Sequence, residues 1–214
     1  TLALPIILSP LVYIYYKWAS LPETIAVHYG VDGQADRFGA KSEFLIMILV
    51  ITGINVAIFF GLPNIYKIDP RKTAADNKNR LKGITLATVL FLTFISYLII
   101  ANAGKTELKL ENKWIFSAVG LFWAVLGNYM YNIKPNYFAG IRLPWTLNDE
   151  ENWRLTHRFA GKLWFAGGLL MMVLAFLVPP ASVPYLFIAI LTITVLPPVI
   201  YSYRLYSQKK SMRV

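Results

Sequence analysis

The chain of 214 residues contains no cysteine, which excludes disulfides, thiolate metal sites and cysteine nucleophiles. Charge is also scarce: Asp, Glu, Lys and Arg make up 15% of the residues, against about 25% in soluble domains. Histidine occurs only as His28 and His157, and there is no H-E-x-x-H. No Gly-rich phosphate loop is present, and no nucleophile has a base beside it, so nothing marks an enzyme, a cofactor or a metal centre. Lys162 is the one ionisable residue inside an apolar run rather than at its edge, and it lies one turn from the start, where it can snorkel. Asn55, Asn102 and Asn128 lie at different depths and read as hydrogen bonds between helices rather than a transport path.

What the chain has is apolar length. Hydrophobic residues make up 57% of it and fall in six runs, 2–18, 44–62, 83–103, 114–131, 159–178 and 183–203. Each is near the roughly 20 residues that cross a bilayer as a helix. The pattern predicts an all-α integral membrane protein with six transmembrane helices, the last kinked at Pro197-Pro198. The first run reads as a span rather than a signal peptide, because no small-residue cleavage site follows and Lys17-Trp18 suits an interfacial anchor.

A net charge of +10 invites nucleic acid, but the position of the cations assigns them to topology and anionic lipid instead. One connector holds Lys67, Arg71, Lys72, Lys78, Arg80 and Lys82. Another holds Lys134, Arg142, Arg154 and Arg158, and the tail holds Arg204, Lys209, Lys210 and Arg213. The excess of Lys and Arg predicts that these connectors and both termini are cytoplasmic, leaving connector 19–43 outside. The organisation is then a helix pair over 1–63 with an extracellular cap loop at 19–43, a basic connector at 64–82, and a four-helix region over 83–214. Within the basic connector, Asp69 is placed to cap a helix beginning at Pro70.

The fourth loop, 134–158, carries more chemistry than a tether needs. Lys134-Pro135 ends the preceding helix. Gly140 permits a tight turn, and Arg142 after it suits a carboxylate or a lipid phosphate. Pro144-Trp145 presents a rigid aromatic suited to the interface. Asn148 with Glu151 reads as a capping box, and Asp149 and Glu150 favour the first helical turn. Glu150 with Arg154, and Trp153 with His157, are spaced to meet on one face. The expectation is a short interfacial helix over 149–161 leading into the fifth span. His157 reads as the holder of a structural hydrogen bond, with a protonation switch as the alternative.

In the outer connector, His28, Asp32, Asp36 and Glu43 would share a face only in a helix. Gly30 and Gly33 predict turns there, which argues against a metal site. Asp36, Arg37 and Lys41 are expected to be ion-paired within the cap, with Phe38 against the membrane.

In the fourth loop, Asn136, Gly140-Ile141-Arg142, Pro144-Trp145-Thr146-Leu147, Glu150, Trp153 and Thr156-His157-Arg158 resemble the signature of the SdpI family of bacterial membrane immunity proteins. That signature reads approximately N-x-x-x-G-I-R-T-P-W-T-L, an acid, a Trp and T-H-R. Leu143 stands where the pattern has Thr, which removes a hydroxyl there. Leu21-Pro22, Ile25, His28, Gly33, Asp36 and Lys41 resemble the small domain of unknown function that often begins such proteins. The resemblance implies a multi-pass protein of the bacterial cytoplasmic membrane, with no cofactor, that gives immunity to a secreted membrane-active peptide toxin. It also implies signalling, by holding a transcriptional repressor at the membrane. Site residues follow from it: Asn136, Gly140, Arg142, Pro144, Trp145, Thr146, Glu150, Trp153, Thr156, His157 and Arg158 in the loop, and Pro22, His28, Gly33, Asp36 and Lys41 in the cap. The competing readings are a small-solute or lipid transporter, and a membrane enzyme built on His157, Arg158, Glu150 and Asn136.

Overall fold

The computed structural model describes residues 3–30, 34–105 and 111–212. Seven α-helices are present among them: α1 (Ala3–Lys17), α2 (Lys41–Gly61), α3 (Lys78–Asn102), α4 (Glu111–Met130), α5 (Pro144–Leu147), α6 (Glu150–Leu177) and α7 (Val183–Ser211). Short 3₁₀ turns occupy Trp18–Ser20, Leu62–Lys67, Lys72–Asn77 and Pro180–Ser182.

Among the described residues, four helical stretches are long and apolar enough to cross a membrane: Lys41–Lys67, Thr73–Asn102, Glu150–Leu177 and Val183–Ser211. The chain is a membrane protein, and its outer surface is made of side chains such as Ile46, Leu90, Leu121 and Ile193, all exposed. Helix α1 has 15 residues, about 22 Å of rise, less than the roughly 30 Å hydrocarbon core. Helix α4 has 20 residues, its run diluted by Ser117, Gly120, Gly127 and Asn128.

The connector over 19–43 is not purely loop, so the all-α expectation needs correcting. Strands β1 (Thr24–Tyr29) and β2 (Ala35–Ala40) pair antiparallel, Thr24 opposite Ala40 and Tyr29 opposite Ala35. The β-branched, period-two stretch Thr24-Ile25-Ala26-Val27 favours this. Ile25 is fully buried and joins Ile14, Phe44, Ile48 and Ile100, so the hairpin sits on the end of α1, α2 and α3.

Two packing groups follow. Helix α3 buries a stripe, Leu81, Ile84, Val89, Thr93, Ser96 and Ile100, at helical spacing. Against it α2 places Asn55, whose amide donates to Thr93 Oγ1 at 3.1 Å and the Val89 carbonyl at 3.3 Å. The second group is α4, α6 and α7, with α4 and α6 the closest pair. Their seam has glycine on both sides: a Cβ on Gly161 would stand 2.8 Å from the Gly127 carbonyl oxygen, and one on Gly120 2.7 Å from that of Gly168. Small residues let membrane helices approach to backbone contact.

Three local expectations are also corrected. There is no separate interfacial helix over 149–161: α6 runs unbroken from Glu150 to Leu177, because nothing between Arg158 and Lys162 breaks the backbone. Its cap is Asp149 rather than Asn148, which instead closes α5 in helical geometry. Asp69 caps no helix at Pro70; its carboxylate accepts the Arg71 amide at 2.9 Å, and the 3₁₀ turn starts only at Lys72.

Candidate functional site

Asn136 forms the first turn of the fourth loop by itself. Its Nδ2 donates to the carbonyls of Lys134 and Ala139 at 2.9 and 3.0 Å. Its Oδ1 accepts the amides of Phe138 and Ala139 at 2.9 and 2.7 Å. A buried asparagine that closes a loop through four bonds is a backbone substitute.

Gly140 comes next with a φ of 113°, a region that disfavours any side chain. A Cβ there would also run into His157 Nε2. The following amide, Ile141 N–H, donates to that Nε2 at 2.8 Å, while His157 Nδ1 lies 2.7 Å from the Trp153 carbonyl. These two partners assign the neutral Nδ1–H tautomer. The imidazole also stacks on the Trp153 indole, centroids 4.0 Å apart, and Trp153 Nε1 donates to the Ile133 carbonyl at 2.8 Å. Trp153 and His157, one turn apart on α6, thus clamp the loop against the end of α4.

The Pro144–Leu147 helix is tied by Thr146, fully buried, whose hydroxyl donates to the Ile141 carbonyl at 2.7 Å and accepts the Leu143 amide at 2.9 Å. Pro144 opens this helix and is itself exposed. Trp145 does not serve as a free interface anchor. Its Nε1 donates to Ser202 Oγ at 3.0 Å, and its ring packs on Tyr203 and Tyr206 of α7. Thr156 donates to Asn152 Oδ1 at 3.0 Å, and Asn152 Nδ2 donates to the Ser202 carbonyl at 2.9 Å.

Asp149 joins the cap of α6 to the tail. Its Oδ1 accepts the amides of Glu151 and Asn152, each at 3.0 Å, and its Oδ2 meets Lys209 Nζ at 2.8 Å. Glu151 takes the same ammonium at 2.7 Å. Partial burial opposes the charge on Asp149, yet the Lys209 ammonium and the two amides outweigh it and hold the carboxyl below the usual aspartate value.

The basic connector is laced to this loop. Asn77 Nδ2 donates to the Lys134 carbonyl at 3.0 Å and its Oδ1 accepts the Lys134 amide at 2.9 Å. Thr73 donates to the Pro135 carbonyl at 2.8 Å, Asp69 accepts the Tyr137 amide at 2.7 Å, and Arg71 lies over the Tyr137 ring. Arg142 is exposed and donates through Nη1 to the Tyr137 carbonyl at 2.7 Å. Arg158 lies over the Tyr131 ring, centroid 5.7 Å away. Glu150 is exposed, and among the described residues no ion pair joins it to Arg154.

The cap residues form a second, separate group. His28 Nδ1 and Asp36 Oδ1 are 2.6 Å apart across the hairpin. Arg37 pairs with Glu43. Lys41 donates to the Leu21 carbonyl at 3.2 Å, approaches Glu23 at 3.9 Å and lies over the Trp18 ring. Phe38 and Pro22 are exposed; Gly33, like Asp32, lies outside the described residues. Among the described residues no three His, Asp or Glu side chains are grouped to hold a metal.

Sequence reasoning missed Thr73, Asn77, Asn152 and Ser202, and it read Asp69 only as a helix cap and Lys209 only as a tail cation. Asn77 and Asn152 were the findable ones, as amides beside helix ends, but their partners lie 57 and 50 residues away.

The fold and site define a polytopic helical membrane protein whose fourth loop is a folded element tied to a second connector and to the tail. Within that class, residues 132–202 match the SdpI/YfhL protein family and residues 6–52 match a domain of unknown function, DUF1648. Both resemblances therefore hold, that to the SdpI family in the loop with α6 and α7, and that to the small domain of unknown function in the hairpin with its flanking helices. The chain is 29% identical over 165 residues to the "Immunity protein SdpI" of Bacillus subtilis (strain 168), covering 76% of this chain and 73% of that protein. It is 32% identical over 83 residues to an "Uncharacterized protein" of Archaeoglobus fulgidus, covering 30% of this chain and 45% of that one. No solved structure matches it.

Proposed function

We propose that the chain is a bacterial membrane immunity protein that confers resistance to a secreted, membrane-active peptide toxin. It also signals, by holding a transcriptional repressor at the membrane. The observation that carries this reading is the similarity to the Bacillus immunity protein over 165 residues. In this reading all six apolar runs span the cytoplasmic membrane, α1 and α4 included, with both termini inside and the β1–β2 hairpin outside as the surface that meets toxin. The fourth loop faces the cytoplasm and is the reporting element.

The bracing of that loop supports the role. Bonds from Asn77, Ser202 and Lys209 tie it to the basic connector and to α7, so a shift of either element moves it as a unit. Arg142 and Trp145 are its contact residues, Arg142 because it is exposed, Trp145 because it couples α5 to α7. Replacing either with Ala abolishes protection while leaving membrane insertion intact. Full protection by both variants at equal membrane abundance sinks the assignment.

A further inference from the structure

A cleft of about 440 Å³ opens between the two connectors, with Asp76 on one wall, Lys134 and Tyr131 on another, and Glu150, Arg154 and Arg158 along α6. We propose that it binds the phosphoethanolamine head group of a membrane lipid, the phosphate on Arg154 and Arg158 and the ammonium on Glu150 and Asp76. This inference does not depend on the toxin reading.

The first argument is charge left uncommitted. Among the described residues, the side chains of Asp76, Lys134, Glu150, Arg154 and Arg158 make no ion pair. Glu150 and Arg154 stand four residues apart on one helix, acid first, the favoured arrangement for pairing. Both nevertheless open to the cleft. Glu151, the third acid there, is already held by Lys209.

The second argument is depth. Arg158 is the last residue before the apolar run of α6, and its guanidinium rests over Tyr131, just past the end of α4. Positions 154, 158 and 165 share a helix face, and Phe165 on it is 45% exposed. A phosphate held by the arginines therefore has its acyl chains directed along α6 towards Phe165, past Lys162, whose ammonium adds a third cation near the phosphate. Arginine forks suit phosphate oxygens.

The acids select among head groups. A phosphoglycerol has no positive charge to offer Asp76 and Glu150, and they repel its anion. A phosphocholine offers a quaternary ammonium with no N–H to donate. A primary ammonium beside the phosphate satisfies both walls.

The test uses the full chain in nanodiscs holding equal amounts of phosphatidylethanolamine, phosphatidylglycerol and phosphatidylcholine, with lipid retention read by native mass spectrometry after mild delipidation. Several-fold preference for phosphatidylethanolamine is expected. Arg154→Gln should lose retention of all three lipids, and Glu150→Gln should keep phospholipid but lose the preference over phosphatidylglycerol. Both side chains are exposed, and an unchanged unfolding midpoint confirms that each variant is folded. Equal retention of the three lipids by the wild type, or unaltered profiles in both variants, overturns the proposal. Displacement by soluble glycerophosphoethanolamine as readily as by the lipid also overturns it, since the cleft would then serve a free phosphate ester.

Discussion

His157 Nε2 accepts the amide proton of Ile141 at 2.8 Å, directly beneath the left-handed turn at Gly140. Nδ1 of the same ring faces the Trp153 carbonyl at 2.7 Å. Both nitrogens are therefore committed, and a second proton would set Nε2–H against Ile141 N–H. The geometry makes His157 a clamp on the loop rather than a titrating switch.

Substituting His157 with Phe keeps the stack on Trp153 but removes both hydrogen bonds. A buried amide left unpaired costs about 1–3 kcal/mol, so the unfolding midpoint falls and loop 134–158 becomes protease-sensitive. Gly140→Ala should have a similar effect, because its Cβ meets the same ring. Wild-type protease resistance in both variants would show that the clamp does not order the loop.

The α4–α6 seam gives a second prediction. Gly161→Ala places a methyl 2.8 Å from the Gly127 carbonyl oxygen, while a Cβ at Gly53 meets nothing within 4 Å. Gly161→Ala should therefore lower the unfolding midpoint, at a cost of about 1–3 kcal/mol, and Gly53→Ala should not. The comparison is read in one detergent by thermal unfolding.

How much of this was legible in the sequence depended on the range of the interaction. Apolar runs such as 44–62 and 83–103 announce α2 and α3 because bilayer length is a local property. Gly140 and the Trp153–His157 pair were also legible, since a positive φ and a one-turn spacing are local. The choice of Asp149 over Asn148 as cap was not, because both are good caps and the extended backbone at Asp149, φ −138° and ψ 107°, decides it. Nor was the Asn77–Lys134 bracket, which joins residues 57 apart. The hairpin was missed as a strand pair because Gly30 and Gly33 dominated the reading, although Gly30 directly follows β1 and leaves the strand intact.

Removing that bracket supplies a third prediction. Asn77→Ala leaves the Lys134 amide without its partner and the Lys134 carbonyl with Asn136 alone. Hydrogen exchange should then rise at 131–137 and in the Lys72–Asn77 turn together, because the two are bonded through this side chain. An increase confined to one segment would show that they are not coupled.

The Asp149–Lys209 contact predicts a pH response of defined sign. The folded carboxyl sits below its ordinary value of 3.8, so its contribution is complete above that value and is lost as pH falls through the lower, folded one. Stability should thus be insensitive to this pair near neutrality. Lys209→Glu should destabilise the cap of α6 at pH 7 by placing three acids together. Thermal unfolding from pH 7 to 3, in wild type, Lys209→Gln and Lys209→Glu, checks both.

The most direct measurement is survival of a toxin-sensitive bacterium expressing this chain, challenged with the secreted family toxin and, separately, with unrelated membrane-active peptides. Protection against the family toxin alone, at confirmed membrane abundance, is the predicted result. Equal killing with and without the chain would contradict the immunity function and leave the braced loop to serve another role at the membrane.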